Sequence, residues 1–217
     1  MTLDELQAAL PDRYRVLREI GRGGMATVYL AEDIPHGRNV AVKVLSDELS
    51  SSVDGERFQR EIQVAARMSH PNILPAYDSG STNGIHYYVM PFIEGDSVRA
   101  RLDHERQLSI EEAIGITCEV CDALTYAHAL GIVHRDIKPE NILLQSGHAV
   151  VADFGIARLL QEKSVTLTQT GLSLGTAQYM SPEQASAEKV DGRSDVYALA
   201  CLACSFYNAN LRKPCII

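Results

Sequence analysis

His134-Arg135-Asp136-Ile137-Lys138-Pro139-Glu140-Asn141 is followed, twelve residues after Asn141, by Asp153-Phe154-Gly155. Two aspartates, one amide and one lysine stand at fixed positions in these two runs. Phosphoryl transfer from a nucleotide needs this inventory: a carboxylate to receive or orient the acceptor proton, hard oxygen ligands for a metal ion, and a cation for the moving charge. An Arg-Asp pair alone carries no information. Eight ordered positions with a second motif downstream do.

Working outward, the 217-residue chain is long enough for one large domain or two small lobes with a sizeable core. Hydrophobic residues make up 46% and charged residues 22%, which is ordinary globular usage and excludes disorder along the whole length. The formal net charge of -8 argues against a nucleic acid or an anionic membrane surface as partner. A nucleotide site must therefore gather its positive charge locally. No apolar run approaches the length that spans a bilayer, and Met1-Thr2-Leu3-Asp4-Glu5 does not start a signal peptide, so a cytoplasmic location is expected. The 5 cysteines read as free thiols of a reducing compartment. Two Cys-x-x-Cys pairs, Cys118 with Cys121 and Cys201 with Cys204, suggest zinc. Each lies in an apolar helix-like stretch, however, and small buried core residues are the plainer expectation.

The pattern from Tyr14 to Leu45 predicts three strands, Tyr14–Ile20, Thr27–Ala31 and Val40–Leu45, joined by Gly-rich and Pro-His-Gly turns. A helix is expected over Glu56–Met68, with Phe58, Ile62, Ala65 and Ala66 as its apolar positions. Strands at Ile73–Tyr77 and Ile85–Met90 follow, around the turn-rich Asp78–Gly84. Composition then changes near Pro91–Asp96. Ser109 opens a long helix with Glu111 and Glu112 in its first turn, and Gly131 stops it. Ile142–Leu144 and Ala149–Ala152 predict a small β-ribbon about Ser146-Gly147. The fold class is α+β: a five-stranded sheet lobe with one helix, then a mainly helical lobe.

These runs resemble protein kinase catalytic domains, and Lys138 makes the chain look like the serine/threonine branch. The resemblance implies a bilobal fold, with residues 1–93 as the small lobe and hinge and 94–201 as part of the large lobe. It also implies transfer of the ATP γ-phosphate to Ser/Thr hydroxyls of proteins. Asp136 would be the base or hydroxyl-positioning group, Lys138 would stabilise the transferring phosphoryl, and Asn141 and Asp153 would hold magnesium, or manganese in its place. Lys43 in Val40-Ala41-Val42-Lys43 would grip the α- and β-phosphates, oriented by Glu61 eighteen residues on. Gly21 and Gly23 belong to a Gly-rich turn over the phosphates, in which Ala26 stands where a third glycine is usual. Ile20, Val28, Ala41 and Leu143 would sandwich adenine, with Met90 at the back and Ile93 donating from the hinge.

Arg135 would clamp a phosphate on the loop Phe154–Glu183. Thr168 and Thr170 are its expected autophosphorylation sites, with another copy of the chain as the partner in trans. Gly175-Thr176 and Met180-Ser181-Pro182-Glu183 resemble the substrate-docking segment of bacterial members. Asp195 is expected to bond the backbone of the His134–Asp136 turn. After Cys201 the resemblance ends, and residues 202–217 read as a non-matching tail of a truncated or frame-shifted product. Glu183 is then expected to lack its usual arginine, and apolar surface to be exposed. Similar bacterial kinases often continue into a membrane anchor and a sensor domain. The alternative reading is a nucleotide-binding fragment or regulatory decoy with little turnover.

Overall fold

The computed structural model describes residues 2–50, 55–154 and 176–207. The chain divides into two compact units, Met1–Met68 with Pro75–Phe92, and Ser69–Leu74 with Ile93–Ile217.

The first unit is built on an antiparallel sheet of β1 (Tyr14–Arg22), β2 (Ala26–Asp33), β3 (Arg38–Leu45), β4 (Asp78–Thr82) and β5 (Ile85–Pro91), in the order β1-β2-β3-β5-β4. Alternation along β3 sends Val40, Val42 and Val44 to one face, where they join Tyr29, Ala31, Tyr87 and Val89. That face is covered by α1 (Leu3–Ala9), whose Leu6 is fully buried. Burying one such leucine stabilises by about 2 kcal/mol. Helix α1 was not expected, although Thr2 and Glu5 form a reciprocal capping box: Glu5 N–H donates to the Thr2 hydroxyl at 3.2 Å and Thr2 N–H to the Glu5 carboxylate at 2.7 Å. The opposite face carries Val28, Ala41, Lys43, Tyr88 and Met90, since Val28 pairs with Lys43, Lys43 with Tyr88, and Ala41 with Met90.

The fourth strand lies at Asp78–Thr82, not at the expected Ile73–Tyr77. This edge strand is polar and small, and Gly80 belongs there for a physical reason: a Cβ on it would lie 2.2 Å from the Tyr87 hydroxyl. Asn83 and Gly84, with φ of 52° and 78°, make the tight turn into β5. The short helix α2 spans Asp47–Ser50, and α3 spans Gly55–Ala66 and packs on β4 and β5. Its Phe58, Ile62 and Ala65 point inward, with the Phe58 ring 5.2 Å from that of His86, whereas Ala66 is exposed.

In the second unit, α4 (Val98–Glu105) begins at Ser97, whose hydroxyl accepts from Ala100 N–H at 3.1 Å. Helix α5 (Ile110–Ala129) carries the expected capping box at Ser109 and Glu112, and ends at Leu130 before Gly131 at φ 74°. The ribbon β6 (Ile142–Gln145) and β7 (His148–Val151) turns through Ser146 and Gly147, both at positive φ. Ile73 bridges to Val151, Leu74 N–H donates to Val151 O at 2.9 Å and Asn72 Nδ2 to Ala149 O at 2.8 Å, so residues 69–74 serve this unit and not the sheet. Helix α6 spans Pro182–Ala185 and α7 spans Gly192–Ser205. The last runs past Cys201, with Leu202 and Phe206 fully buried and Leu108 N–H donating to Phe206 O at 3.1 Å. The cysteines correct an expectation. Ala113, Ile116, Val120, Ala123, Leu124 and Ala127 define the buried face of α5, and Cys118 and Cys121 fall off it and are exposed, as is Cys204 on α7. Among the described residues no three or more histidine, cysteine, aspartate or glutamate side chains are grouped as metal ligands, so neither cysteine pair belongs there to the ligand set that a zinc site needs. Ile110, Ile114, Val196 and Tyr207 are exposed on α5, α7 and just beyond it. No helix of the described residues is long and apolar enough to cross a membrane.

Candidate active site

The site residues expected from the sequence fall in both units. In the first, the Gly-rich turn closes on itself through Gly23 N–H donating to Ala26 O at 2.9 Å. Across the strands, Gly21, Val28, Lys43 and Tyr88 form one row, and Ala41 and Met90 lie side by side next to it. Ile20 ends the same stretch of β1. Lys43 is half-buried on the sheet face that also carries His86, against which α3 packs, and Glu61 is half-buried on α3.

In the second unit the geometry is specific. Asp136 receives three contacts: Lys138 Nζ lies 2.8 Å from its Oδ2, and Asn141 Nδ2 donates to that oxygen at 3.0 Å and to the Asp136 carbonyl at 2.7 Å. Because Asn141 spends its N–H2 group on Asp136, its Oδ1 is the atom left to ligate. Asn141 O in turn accepts from Ala152 N–H at 2.8 Å, which ties the turn Pro139–Asn141 to the residue before Asp153. Asp153 itself adopts φ 68°, a left-handed conformation costly for an aspartate and sustained only when its neighbours fix it. Leu143 lies on β6 and Ile93 opens the second unit's main segment.

The turn holding Asp136 is itself held from below. Asp195, fully buried in the first turn of α7, accepts from His134 N–H at 2.8 Å, Arg135 N–H at 2.7 Å and His128 Nε2 at 2.7 Å. Arg135 has φ 68°, so two successive amides converge on one carboxylate. His134 Nδ1 accepts from Asp136 N–H at 3.2 Å, which leaves Nε2 to donate to Ala152 O at 2.8 Å and makes the ring the neutral Nε2–H tautomer. The Phe154 ring stands edge-on to His134 at 4.5 Å. Gly192 permits the His128 contact, since a Cβ there would meet the imidazole at 2.8 Å.

Further polar residues complete the frame, of which Arg99 and Gln184 were not among the candidates read from the sequence. Gln184 Nε2 donates to Arg135 O at 2.7 Å, and Ser181 caps α6 with Gln184 in reciprocal bonds. Arg99 on α4 reaches Glu140 and the hydroxyl of Tyr179. Burial works against the Arg99 charge, but the Glu140 carboxylate outweighs it and holds the guanidinium above its ordinary pKa. Glu183, expected without its arginine, accepts a hydrogen bond from the Ser194 hydroxyl, which keeps its carboxyl below the usual range. Thr168 and Thr170 lie outside the described residues.

The family model of the protein kinase domain matches residues 14–213. This chain belongs to the protein kinase family. Within it, the kinase domain is 46% identical over 199 residues to a probable serine/threonine-protein kinase of Streptomyces coelicolor, covering 89% of this chain and 30% of that protein. It is 45% identical to the serine/threonine-protein kinase PknB of Mycolicibacterium smegmatis, again over 89% of this chain and 32% of the relative, and 43% identical to PknB of Mycobacterium tuberculosis over the same shares. The kinase domain thus spans less than a third of the length of these curated relatives, and the match to the family model runs on beyond Cys201, where the motifs end. Protein kinases use ATP and a divalent metal.

Proposed function

We propose that this chain transfers the γ-phosphoryl group of ATP to serine and threonine hydroxyls of proteins. One observation carries the reading: Asp136, Lys138 and Asn141 are joined within 2.7 to 3.0 Å on a single turn, which the buried Asp195 holds through two backbone amides. Asp136 accepts or orients the acceptor proton as the hydroxyl oxygen bonds to phosphorus, and the bond from phosphorus to the β,γ-bridging oxygen breaks to release ADP. Lys138, already beside Asp136, offsets charge on the equatorial oxygens of the moving group. The donor set fits magnesium, because Asn141 Oδ1 and the Asp153 carboxylate are hard oxygens and magnesium takes few protein ligands. When bound, the metal neutralises charge on the phosphates. Lys43, oriented by Glu61, and the turn at Gly21 and Gly23 serve the phosphates; Ile20, Val28, Ala41, Met90, Ile93 and Leu143 serve adenine.

Residues 1–93 act as the small lobe and hinge and 94–201 as the large-lobe portion. Arg135 clamps phosphorylated Thr168 or Thr170 after transfer from a second copy, in a cytoplasmic setting where ATP is present. The test is radiolabel transfer from Mg-ATP by the whole chain beside Asp136→Asn, with thermal stabilisation by Mg-ATP as the binding readout. Transfer by the native chain and its loss in the variant, with stabilisation kept in both, is the expected result. Stabilisation without transfer by the native chain would replace the enzyme with a nucleotide-binding module.

A further inference from the structure

Arg99 joins segments that are far apart in the chain. Its Nε donates to Glu140 Oε1 at 2.9 Å, its Nη2 donates to the Tyr179 hydroxyl at 3.3 Å, and its Nη1 lies 3.7 Å from Asp103 one turn along α4. Glu140 sits in the turn Pro139–Asn141, next to the asparagine whose Nδ2 holds Asp136. Tyr179, 5% exposed, ends the turn Thr176–Tyr179 just ahead of α6. The far end of that second segment is clipped separately, by Gln184 Nε2 on the carbonyl of Arg135. Two polar clips therefore bracket the stretch from 179 to 184 and fasten it to the stretch from 135 to 141.

We propose that Arg99 is a positioning residue for phosphoryl transfer: its guanidinium fork sets the turn carrying Asp136 in register with the segment Thr176–Ser181. This rests on the reading of Asp136 as the proton-handling group. A planar fork is suited to the task because its N–H groups diverge in fixed directions onto two partners, whereas a lysine ammonium can satisfy one of them as a point charge. The Arg99 and Glu140 side chains are 23% and 43% exposed, so water screens the pair and its contribution to global stability is small. Its effect falls on placement. A displacement of the reacting groups by a fraction of an ångström to one ångström costs on the order of tenfold to a hundredfold in rate.

The experiment compares the whole chain with Arg99→Ala and Arg99→Lys, using Mg-ATP and dephosphorylated casein as acceptor, and adds amide hydrogen exchange. Arg99→Ala is expected to lower kcat about tenfold with KM for ATP within about twofold of the native value. Arg99→Lys should restore most of kcat by recovering the Glu140 pair, while KM for casein stays raised because the Tyr179 arm is missing. In Arg99→Ala, amides of residues 136–141 and 178–181 should exchange faster together, with α5 unchanged. Native kcat in Arg99→Ala, exchange that rises in one segment alone, or faster exchange throughout the second unit would each overturn the proposal. If the native chain transfers no phosphate, the proposed enzymatic function fails on its own, and paired exchange still decides whether the fork fastens the two segments.

Discussion

Replacing Asp195 with asparagine keeps size and shape while changing one acceptor oxygen into a donor. In the native chain the two carboxylate oxygens accept from His134 N–H, Arg135 N–H and His128 Nε2 at 2.7 to 2.8 Å, with no exposure to water. In Asp195→Asn, Oδ1 can keep Arg135 N–H, but the new N–H2 faces two donors. His128 can adapt by presenting its other tautomer; the His134 amide cannot. One buried amide left unsatisfied costs about 1–3 kcal/mol, and replacing the two remaining charge-assisted bonds, to Arg135 N–H and His128, by neutral ones costs about 1 kcal/mol each. The sum is about 4 kcal/mol, a large part of the stability of an ordinary domain and about 10 °C in Tm for a chain of this size. His128→Ala is the control: it deletes one bond at a side chain 25% exposed and leaves both amides in place, so about 1 kcal/mol is expected. Urea unfolding of the three proteins measures the differences, and hydrogen exchange at His134 and Arg135 locates them. An Asp195→Asn protein within about 0.5 kcal/mol of native, with both amides still protected, would refute the assignment of Asp195 as the support of this turn.

Three other outcomes are expected. Gly95→Ala should destabilise by about 2 kcal/mol in urea, because its Cβ would lie 2.1 Å from the backbone oxygen of Leu144, which cannot move without straining β6. Leu6→Ala should cost about 2–5 kcal/mol by removing the α1 side chain that seats fully buried on the sheet, and native stability in that variant would mean that α1 is not docked. At Asp33, burial alone would raise the carboxyl pKa, but donors on His36, Arg13 and Arg38 more than reverse this and lower it from 3.8 to about 2. Since the folded pKa is the depressed one, the stabilisation is complete above the unfolded value and disappears as pH falls from about 4 through about 2. Asp33→Asn should accordingly flatten the acid limb of a stability curve in that window, and an unchanged limb would contradict the assignment.

The sheet and the long helix were legible because their signals are local. Val40, Val42 and Val44 alternate, and Ser109 to Gly131 carries both cap and stop. The fourth strand was not, because an edge strand of Asp-Ser-Gly-Ser-Thr has a turn's composition, and what selects it is the Tyr87 ring lying over Gly80. Helix α1 had a readable signal in Thr2 and Glu5, whereas the exposed cysteines could have been placed by extending the Ala113–Ile116–Val120 spacing. At the site, the Asp136, Lys138 and Asn141 cluster and the Asp195 support followed from the motifs. His128, Gln184 and Arg99 did not. Each is a single polar residue on a helix, and only the folded path of a distant segment gives it a partner.

The row Gly21, Val28, Lys43 and Tyr88 also has a meaning for folding. A slip of β3 by one residue against its neighbours would turn Lys43 toward α1, forcing an ammonium among Leu6, Leu10 and Tyr29, and would turn Val42 and Val44 away from them. Misregistered hairpins are thus penalised twice, by an unpaired buried charge and by lost apolar contact. Lys43, proposed above to bind phosphate, should therefore also disfavour misregistered strand pairing, and Lys43→Met is expected to add a slow refolding phase in stopped-flow measurements.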